Sequence, residues 1–375
     1  MDNTVKTLLE LIKCSVFGET FVGTVNDWDK VFSLAKKHGV LSTVYPALKD
    51  LPLPERLKAN ADAIIGSLVA QQANQDYYMQ EIENAFSGAG IKFIPLKGAR
   101  TRSVYPSPEM RISSDVDIYI DEADKKLADF VMKDLGLAFT KIYDDSANYE
   151  KPPYITVELH DKLDSYVFPD YYRNVWEKAK NTVFTRYEFS DDDFYIYNLL
   201  HVLKHFSCSG TGIRTILDVF LLNTRLRLNR DYVDGELEKL SLKKFERCIS
   251  ELGYVWFGSL ERNDFYDDLT DYVVASGIYG NVSNRTVNEM SGRHGKIGYF
   301  LKRVFPPYRS IVKSQPWLKK CPFLLPVGWI IRIFKLTFGK REMVKDSIRA
   351  IKQTEGSAME KQKTLFENLG IENYY

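Results

Sequence analysis

Residues Ile112–Ile120 carry the most constraining pattern in this sequence, because apolar and polar side chains alternate along them. An alternation of period two is typical of a β-strand with one buried face. Val116 and Ile118 lie on the apolar face, and Asp115 and Asp117 lie on the other. We therefore predict a strand that carries two neighbouring carboxylates on the face turned away from the core.

Two carboxylates this close on one strand face are costly to keep ionised, because their like charges repel. A divalent cation between them removes that cost, and carboxylate oxygens are ligands that suit Mg²⁺ and Mn²⁺. Asp115 and Asp117 are therefore candidate metal ligands. Taken by itself, the doublet fits a solvated strand face equally well.

The segments on either side of the doublet favour the metal site. Ile91–Leu96 is short and apolar, and predicts a strand that leaves into the turn Lys97-Gly98 before a short helix. Backbone N–H groups at such a turn can meet a phosphate. Tyr154–His160 alternates again and places Glu158 on one face of a further strand. If that strand neighbours the first, three carboxylates form a cluster that can hold two cations for an in-line phosphoryl or nucleotidyl transfer.

The rest of the chain predicts helices on both sides of this small sheet. Apolar residues recur at helical spacing in about the first ninety residues and again from Asp191 onward. Asp27 and Asp121 stand where helix N-caps are expected, and the polar stretch Asp144–Pro153 predicts a turn. We expect a mixed α+β or α/β fold, with a small mixed-sheet core flanked by N-terminal helices and a mainly helical C-terminal domain. The expected divisions are an N-terminal helical segment, the α/β core, a helical domain and a C-terminal extension, at residues 1–88, 89–188, 189–300 and 301–375.

The composition argues against several classes of protein. The formal net charge is +1, with 51 Lys+Arg against 50 Asp+Glu, so bulk electrostatic binding of nucleic acid is not favoured. The four cysteines show no Cys-x-x-Cys spacing, which argues against a zinc ribbon and a disulfide framework. The N-terminus lacks the pattern of a signal peptide, and Pro322–Phe338 is too short and too interrupted to span a membrane. We therefore expect a cytoplasmic protein.

The order of these features resembles the DNA polymerase beta-like nucleotidyltransferase superfamily. Within it, the chain is similar to a bacterial branch described as an uncharacterised nucleotidyltransferase family, in which the glycine turn reads Leu-Lys-Gly. The similarity covers roughly Ala85–Asp218, and weakly Phe305-Pro306 and Leu325-Pro326. It rests on a long helix followed by the motifs Leu96-Lys97-Gly98, Tyr105-Pro106, Arg111-x-x-x-Asp115-x-Asp117 and Glu158-x-His160.

The resemblance implies a transferase that moves a nucleoside monophosphate from an NTP, such as ATP, to an acceptor, with Mg²⁺ or Mn²⁺. By position, Asp115 and Asp117 would ligate both cations. Glu158 matches the third carboxylate, which would also help to deprotonate the attacking hydroxyl. Gly98 resembles the turn residue over the triphosphate, and Lys97 would add a positive charge there.

One departure concerns the turn itself, because Ala99 follows the glycine where the wider superfamily has a serine. Lys97 would replace the missing hydroxyl contact with a point charge. The alternative is an exposed lysine at the end of a strand. For Arg111 we favour a clamp on a phosphate, with neutralisation of Asp115 as the alternative.

A second group of candidates follows the core. The resembling family carries a similar Lys-His pair and then a Gly-x-Arg-x-x-x-Asp segment. We interpret Lys204, His205 and Arg214 as residues that face the phosphates or the base of the nucleotide. Arg214 could instead pair with Asp218 one helical turn away. His201 and His205 have the spacing of a zinc pair, but no glutamate follows the first histidine, and we favour a polar helix face.

The acceptor stays open, with a small molecule as our expectation. One alternative function is a catalytically inactive module that binds a nucleotide or a sugar nucleotide. Another is a structural or regulatory partner in a surface-polysaccharide or toxin–antitoxin system. The tail Arg303–Lys340 mixes aromatic and basic side chains. We interpret it as docked helix and loops, with peripheral membrane contact as the alternative.

Overall fold

The computed structural model describes residues 1–142, 146–153, 155–163, 167–291, 301, 304–339 and 356–374. The chain forms two compact units. The first contains Met1–Lys204 and Thr211–Ile278, and the second contains His205–Gly210 and the residues from Tyr279 onward. All the carboxylates predicted to hold a metal belong to the first unit.

The N-terminal part is helical, as the periodicity predicts. Asp27 caps its second helix, since the side chain accepts a hydrogen bond from the Lys30 N–H at 3.1 Å. The long predicted helix begins directly after Pro54. A further short helix, which contains Pro46, was not predicted. These elements are α1 (Asn3–Phe17), α2 (Trp28–Lys37), α3 (Leu41–Lys49) and α4 (Glu55–Gly88).

A seven-stranded mixed sheet forms the centre of the first unit. Its strands are β1 (Phe93–Pro95), β2 (Val116–Ile120), β3 (Ala138–Ile142), β4 (Ser146–Lys151), β5 (Ile155–His160), β6 (Ala179–Val183) and β7 (Arg186–Phe189). The order across the sheet is β3-β4-β5-β2-β1-β7-β6. β2 therefore lies near the middle, antiparallel to β1 and parallel to β5. The mixed α+β fold expected from the sequence is confirmed.

One face of the sheet is apolar and is covered by α4 and by α6 (Lys125–Asp134), which follows the short α5 (Gly98–Arg102). Ile118 of β2 and Val157 of β5 are fully buried in this core. Burial of one aliphatic side chain of this size stabilises the fold by about 1.5–3 kcal/mol. Because a slip of one residue would turn these side chains to the opposite face, the core fixes the pairing register of both strands.

One predicted strand boundary in the sheet is wrong. β2 begins at Val116, not at Ile112, because the backbone of the preceding residues is bound by side chains. The Ile112 carbonyl accepts from Arg111, and the Ser113 N–H donates to Gln72.

The polar stretch expected to be a turn contains β4, which pairs with β3 and β5. Its polar Asn148 and Glu150 alternate with Ala147 and Tyr149, so the stretch has strand periodicity despite its polarity. Tyr143, Asp144 and Tyr154, for which the sequence also predicts strand or turn structure, lie outside the described residues.

Helices follow the sheet, as predicted from Asp191 onward. In the first unit they are α8 (Ile213–Arg225), α9 (Arg230–Lys239), α10 (Lys243–Phe257) and α11 (Asp264–Ser276). The helix α7 (Asp191–Cys208) precedes them and runs across the division between the units. Those described in the second unit are α12 (Val282–Ser291), α13 (Tyr308–Ser314), α14 (Leu325–Gly339) and α15 (Gly356–Leu369).

The described part of the tail has a small core of its own. Ile311 and Leu318 are buried there, and Trp329 packs against them and donates from Nε1 to the Pro306 carbonyl at 2.9 Å. Phe323 and Phe334 are exposed. Peripheral membrane contact stays the alternative to this docked arrangement, and Arg303 and Lys340, which bound the predicted segment, lie outside the described residues. Within the ranges that the structure describes, no helix has the length and apolarity required to cross a membrane.

Candidate active site

Three polar side chains converge on the sheet face opposite the apolar core. β2 and β5 pair in parallel, so that Asp117 stands beside Glu158 and Tyr119 beside His160. Since residues i and i+2 of a strand share a face, Glu158 and His160 project on the same side as Asp117. One donor atom from each of Asp117, Glu158 and His160 lies within 4.8 Å of the other two. The two acidic strands are thus neighbours, which is the condition on which the predicted cluster depends.

The Asp117 carboxylate contacts two basic side chains, those of Lys97 and His160. Its Oδ1 lies 3.3 Å from Lys97 Nζ and 2.9 Å from His160 Nε2, and its side chain is 5% exposed. Burial opposes the ionised form, but the charge of Lys97 and the hydrogen bond with His160 outweigh burial. The pKa of Asp117 is therefore well below its ordinary value. Asp117 is an anion at neutral pH and is ready to bind a cation.

Asp115 belongs to the same electrostatic cluster although it precedes β2. Burial raises the pKa of the Asp115 carboxyl, and the negative charges of Asp117 and Glu158 raise it further, against the effect of Lys97. This is the repulsion predicted for two carboxylates on one strand end. A bound divalent cation would relieve it.

Glu158 is oriented by a residue that the sequence argument missed. Asn148 of β4 stands opposite Glu158 in the antiparallel pair, and its Nδ2 donates to Glu158 Oε1 at 2.9 Å. Glu158 Oε2 lies 3.7 Å from His160 Nε2. The alternation of polar and apolar residues around Asn148 was the available signal, and its position within an expected turn concealed it.

The Lys97-Gly98 turn lies at the same end of β2. The N–H of Leu96 donates to the Asp117 carbonyl at 2.9 Å, and Gly98 begins α5. Lys97 itself has a positive φ of 20°, which is uncommon for a residue other than glycine. A Cβ on Gly98 would lie 3.6 Å from Ser113 Oγ, so the turn packs beside the segment that leads to Asp115.

Arg111 forms an ion pair with Asp218 of α8. Arg111 Nε lies 3.0 Å from Asp218 Oδ1, which also accepts from the Tyr105 hydroxyl at 2.7 Å. Burial works against the charged guanidinium, but Asp218 outweighs it and raises the pKa of Arg111. The negative charge of Asp115 also favours the charged guanidinium, to a smaller extent than Asp218. A phosphate-binding role for Arg111 stays a prediction.

The other predicted nucleotide-binding residues lie on α7 and α8. Arg214 of α8 donates from Nη1 to the Ile112 carbonyl at 3.3 Å, three residues before Asp115. On α7, Lys204 is half-buried and His205 is exposed, and the division between the two compact units falls between them. Contact of these three residues with a nucleotide stays a prediction.

A comparison with known protein families shows the family to which the chain belongs. Residues 24–258 match the family described as "Uncharacterised nucleotidyltransferase". This range spans more than half of the chain and includes both carboxylate strands. The protein is therefore a member of this nucleotidyltransferase family. No curated protein and no solved structure was found to match the chain.

Proposed function

We propose that the protein transfers a nucleoside monophosphate from an NTP to a hydroxyl or phosphate of an acceptor, with divalent cations, and releases pyrophosphate. One observation carries the proposal: the parallel pairing of β2 and β5 places Asp117 beside Glu158. Both lie near the start of β2, which directly follows Asp115. Membership of a nucleotidyltransferase family supports the reaction class. The acceptor class that we favour is a small molecule.

The donor set fits Mg²⁺ or Mn²⁺. Asp117 and Glu158 offer hard carboxylate oxygens on two adjacent strands, and Asp115, just before β2, interacts electrostatically with both. Asp117 is held ionised by its surroundings. These three residues would hold the cations. When bound, the cations would bridge the phosphates and stabilise the charge on the attacking and leaving oxygens.

Side chains close to these carboxylates would position the reactants. Lys97 is close enough to Asp117 to neutralise it in the absence of a cation, and its amine would contact a phosphate once a cation takes its place beside Asp117. Gly98 gives the triphosphate close access to the backbone of the turn. Asn148 orients Glu158, which would accept the proton of the attacking hydroxyl.

Release of pyrophosphate from each NTP, in the presence of Mg²⁺ or Mn²⁺ and a panel of small-molecule acceptors, tests the proposal. We expect Asp117→Asn and Glu158→Gln to lower the turnover at least about 100-fold, because each removes a charge that the transition state needs. Glu150→Gln is the matched control, since Glu150 is an exposed carboxylate on the neighbouring strand β4. Turnover that survives both substitutions would refute the proposal.

A second candidate is a module that binds a nucleotide without transferring it. The contact of the Lys97 amine with Asp117 favours this candidate, because an ammonium at this position can take the place of one cation. Calorimetric titration with an NTP separates the two candidates when it is combined with the pyrophosphate assay. Nucleotide binding without pyrophosphate release under any condition would favour the module.

A further inference from the structure

We propose that the His160 imidazole is a third ligand of the cation held by Asp117 and Glu158, and that the site therefore binds Mn²⁺ in preference to Mg²⁺. The inference rests on the proposed function, since it concerns the same cation. It adds a nitrogen donor to a site that the sequence described only by its carboxylates.

The distances among the three side chains suit a common ion. His160 Nε2 lies 2.9 Å from Asp117 Oδ1 and 3.7 Å from Glu158 Oε2. Donors bound at about 2.1 Å around one octahedral ion lie about 3 Å apart when adjacent and about 4.2 Å apart when opposite. The separation of 2.9 Å matches adjacent donors, and the separation of 3.7 Å lies between the two values. Binding of the ion would replace the hydrogen bond between His160 Nε2 and Asp117 Oδ1, with the ring proton on Nδ1, and we expect side-chain rotation to accommodate the ion.

The backbone of His160 is held in place by the sheet. His160 pairs with Tyr119 of β2 on one side and with Ser146 of β4 on the other, and its side chain is 13% exposed. Its position two residues after Glu158 directs the ring to the face that carries the carboxylates. A ligand fixed in this way loses little conformational freedom when the ion binds.

A nitrogen ligand changes which cation the site prefers. Mg²⁺ favours oxygen ligands in near-ideal octahedral geometry, whereas imidazole suits transition metals, and Mn²⁺ accepts both kinds of donor. We therefore expect Mn²⁺ to bind at least about tenfold more tightly than Mg²⁺. His160→Gln should remove most of this preference by weakening the binding of Mn²⁺.

Pulsed EPR of the full-length protein with Mn²⁺, in the absence of nucleotide, tests the ligand directly. We expect a nitrogen hyperfine coupling of the size given by a directly bound imidazole, replaced by the ¹⁵N coupling when histidine is labelled with ¹⁵N. His160→Gln should abolish the coupling, and His201→Gln, which removes a histidine of α7, should keep it. The labelled unsubstituted protein already decides whether a histidine binds the ion, so the test does not depend on the folding of a variant.

The possible results separate this inference from the proposed function. If Mn²⁺ binding depends on Asp117 but shows no histidine coupling, His160 is not a ligand and the proposed carboxylate site is unaffected. A coupling that survives His160→Gln would assign the ligand to another histidine and would also overturn the inference. Absence of any Mn²⁺ binding at millimolar concentration would contradict both proposals.

Discussion

Replacement of Lys97 by methionine should tighten Mn²⁺ binding to the nucleotide-free protein. Lys97 Nζ lies 3.3 Å from Asp117 Oδ1, and the two side chains are 20% and 5% exposed. At an effective dielectric constant of 20, two unit charges at this distance attract each other by about 5 kcal/mol before desolvation is subtracted. A cation that binds Asp117 must displace this amine or share the oxygen with it. Without the amine, we expect the Mn²⁺ affinity to rise at least about tenfold, or about 1.4 kcal/mol.

The same substitution should destabilise the metal-free protein, because it removes one partner of a largely buried ion pair. We expect the free energy of unfolding to fall by about 3 kcal/mol, and saturating Mn²⁺ to restore part of it. Isothermal titration with Mn²⁺ and urea denaturation with and without the ion measure both effects. Lys92→Met is the matched control, since Lys92 is an exposed lysine just before β1. An unchanged or weaker Mn²⁺ affinity in Lys97→Met would refute the reasoning.

Three further predictions concern stability and can be checked by urea denaturation. Arg111→Met leaves Asp218 buried without its main cationic partner and should cost about 3–5 kcal/mol, whereas a cost below about 1 kcal/mol would contradict the buried pair. Burial holds the pKa of His38 at about 4. Between about pH 6.5 and pH 4, His38 is therefore protonated in the unfolded chain and neutral in the folded chain. The free energy of unfolding should fall by about 3 kcal/mol over this range. His38→Gln should flatten this profile, and an equally steep profile in the variant would exclude His38 as its source. A Cβ on Gly212 would lie 2.9 Å from His38 Nδ1 and from backbone atoms, so Gly212→Ala should cost about 1–3 kcal/mol. Gly235→Ala, in open space on α9, should be neutral or stabilising by up to about 1 kcal/mol, and equal effects of the two changes would contradict the packing argument.

The sequence predicted the parts of the site that depend on local periodicity. The alternation of β2 and β5 placed Asp117 and Glu158 on strand faces, and the apolar residues between them directed those faces away from the core. Asp121 was also predicted to cap the next helix. Its side chain accepts from the Ala123 N–H at 3.0 Å, at the start of the short 3₁₀ turn Glu122–Asp124 that leads into α6. These predictions need only local sequence information, namely which side of a strand is buried and which residue precedes a helix.

Contacts between distant segments could not be predicted in this way. The Arg111–Asp218 pair joins residues 107 positions apart, and no local pattern marks either as the partner of the other. β6 also went unassigned, because four of its five side chains are exposed and the strand has no apolar face. Its place is set by hydrogen bonding to β7 at the edge of the sheet. Tertiary pairing, and not the properties of the segment, determines such elements.

Side chains of two helices outside the sheet bind the loop that carries Asp115. Asp218 and Arg214 of α8 bind Arg111 and the Ile112 carbonyl, and Gln72 of α4 binds the Ser113 N–H. Sequence changes along α8 can therefore shift a carboxylate that they never touch. A substitution at Asp218 is therefore expected to displace the backbone that leads to Asp115 and to change cation binding at the carboxylates, although Asp218 is not one of the predicted ligands.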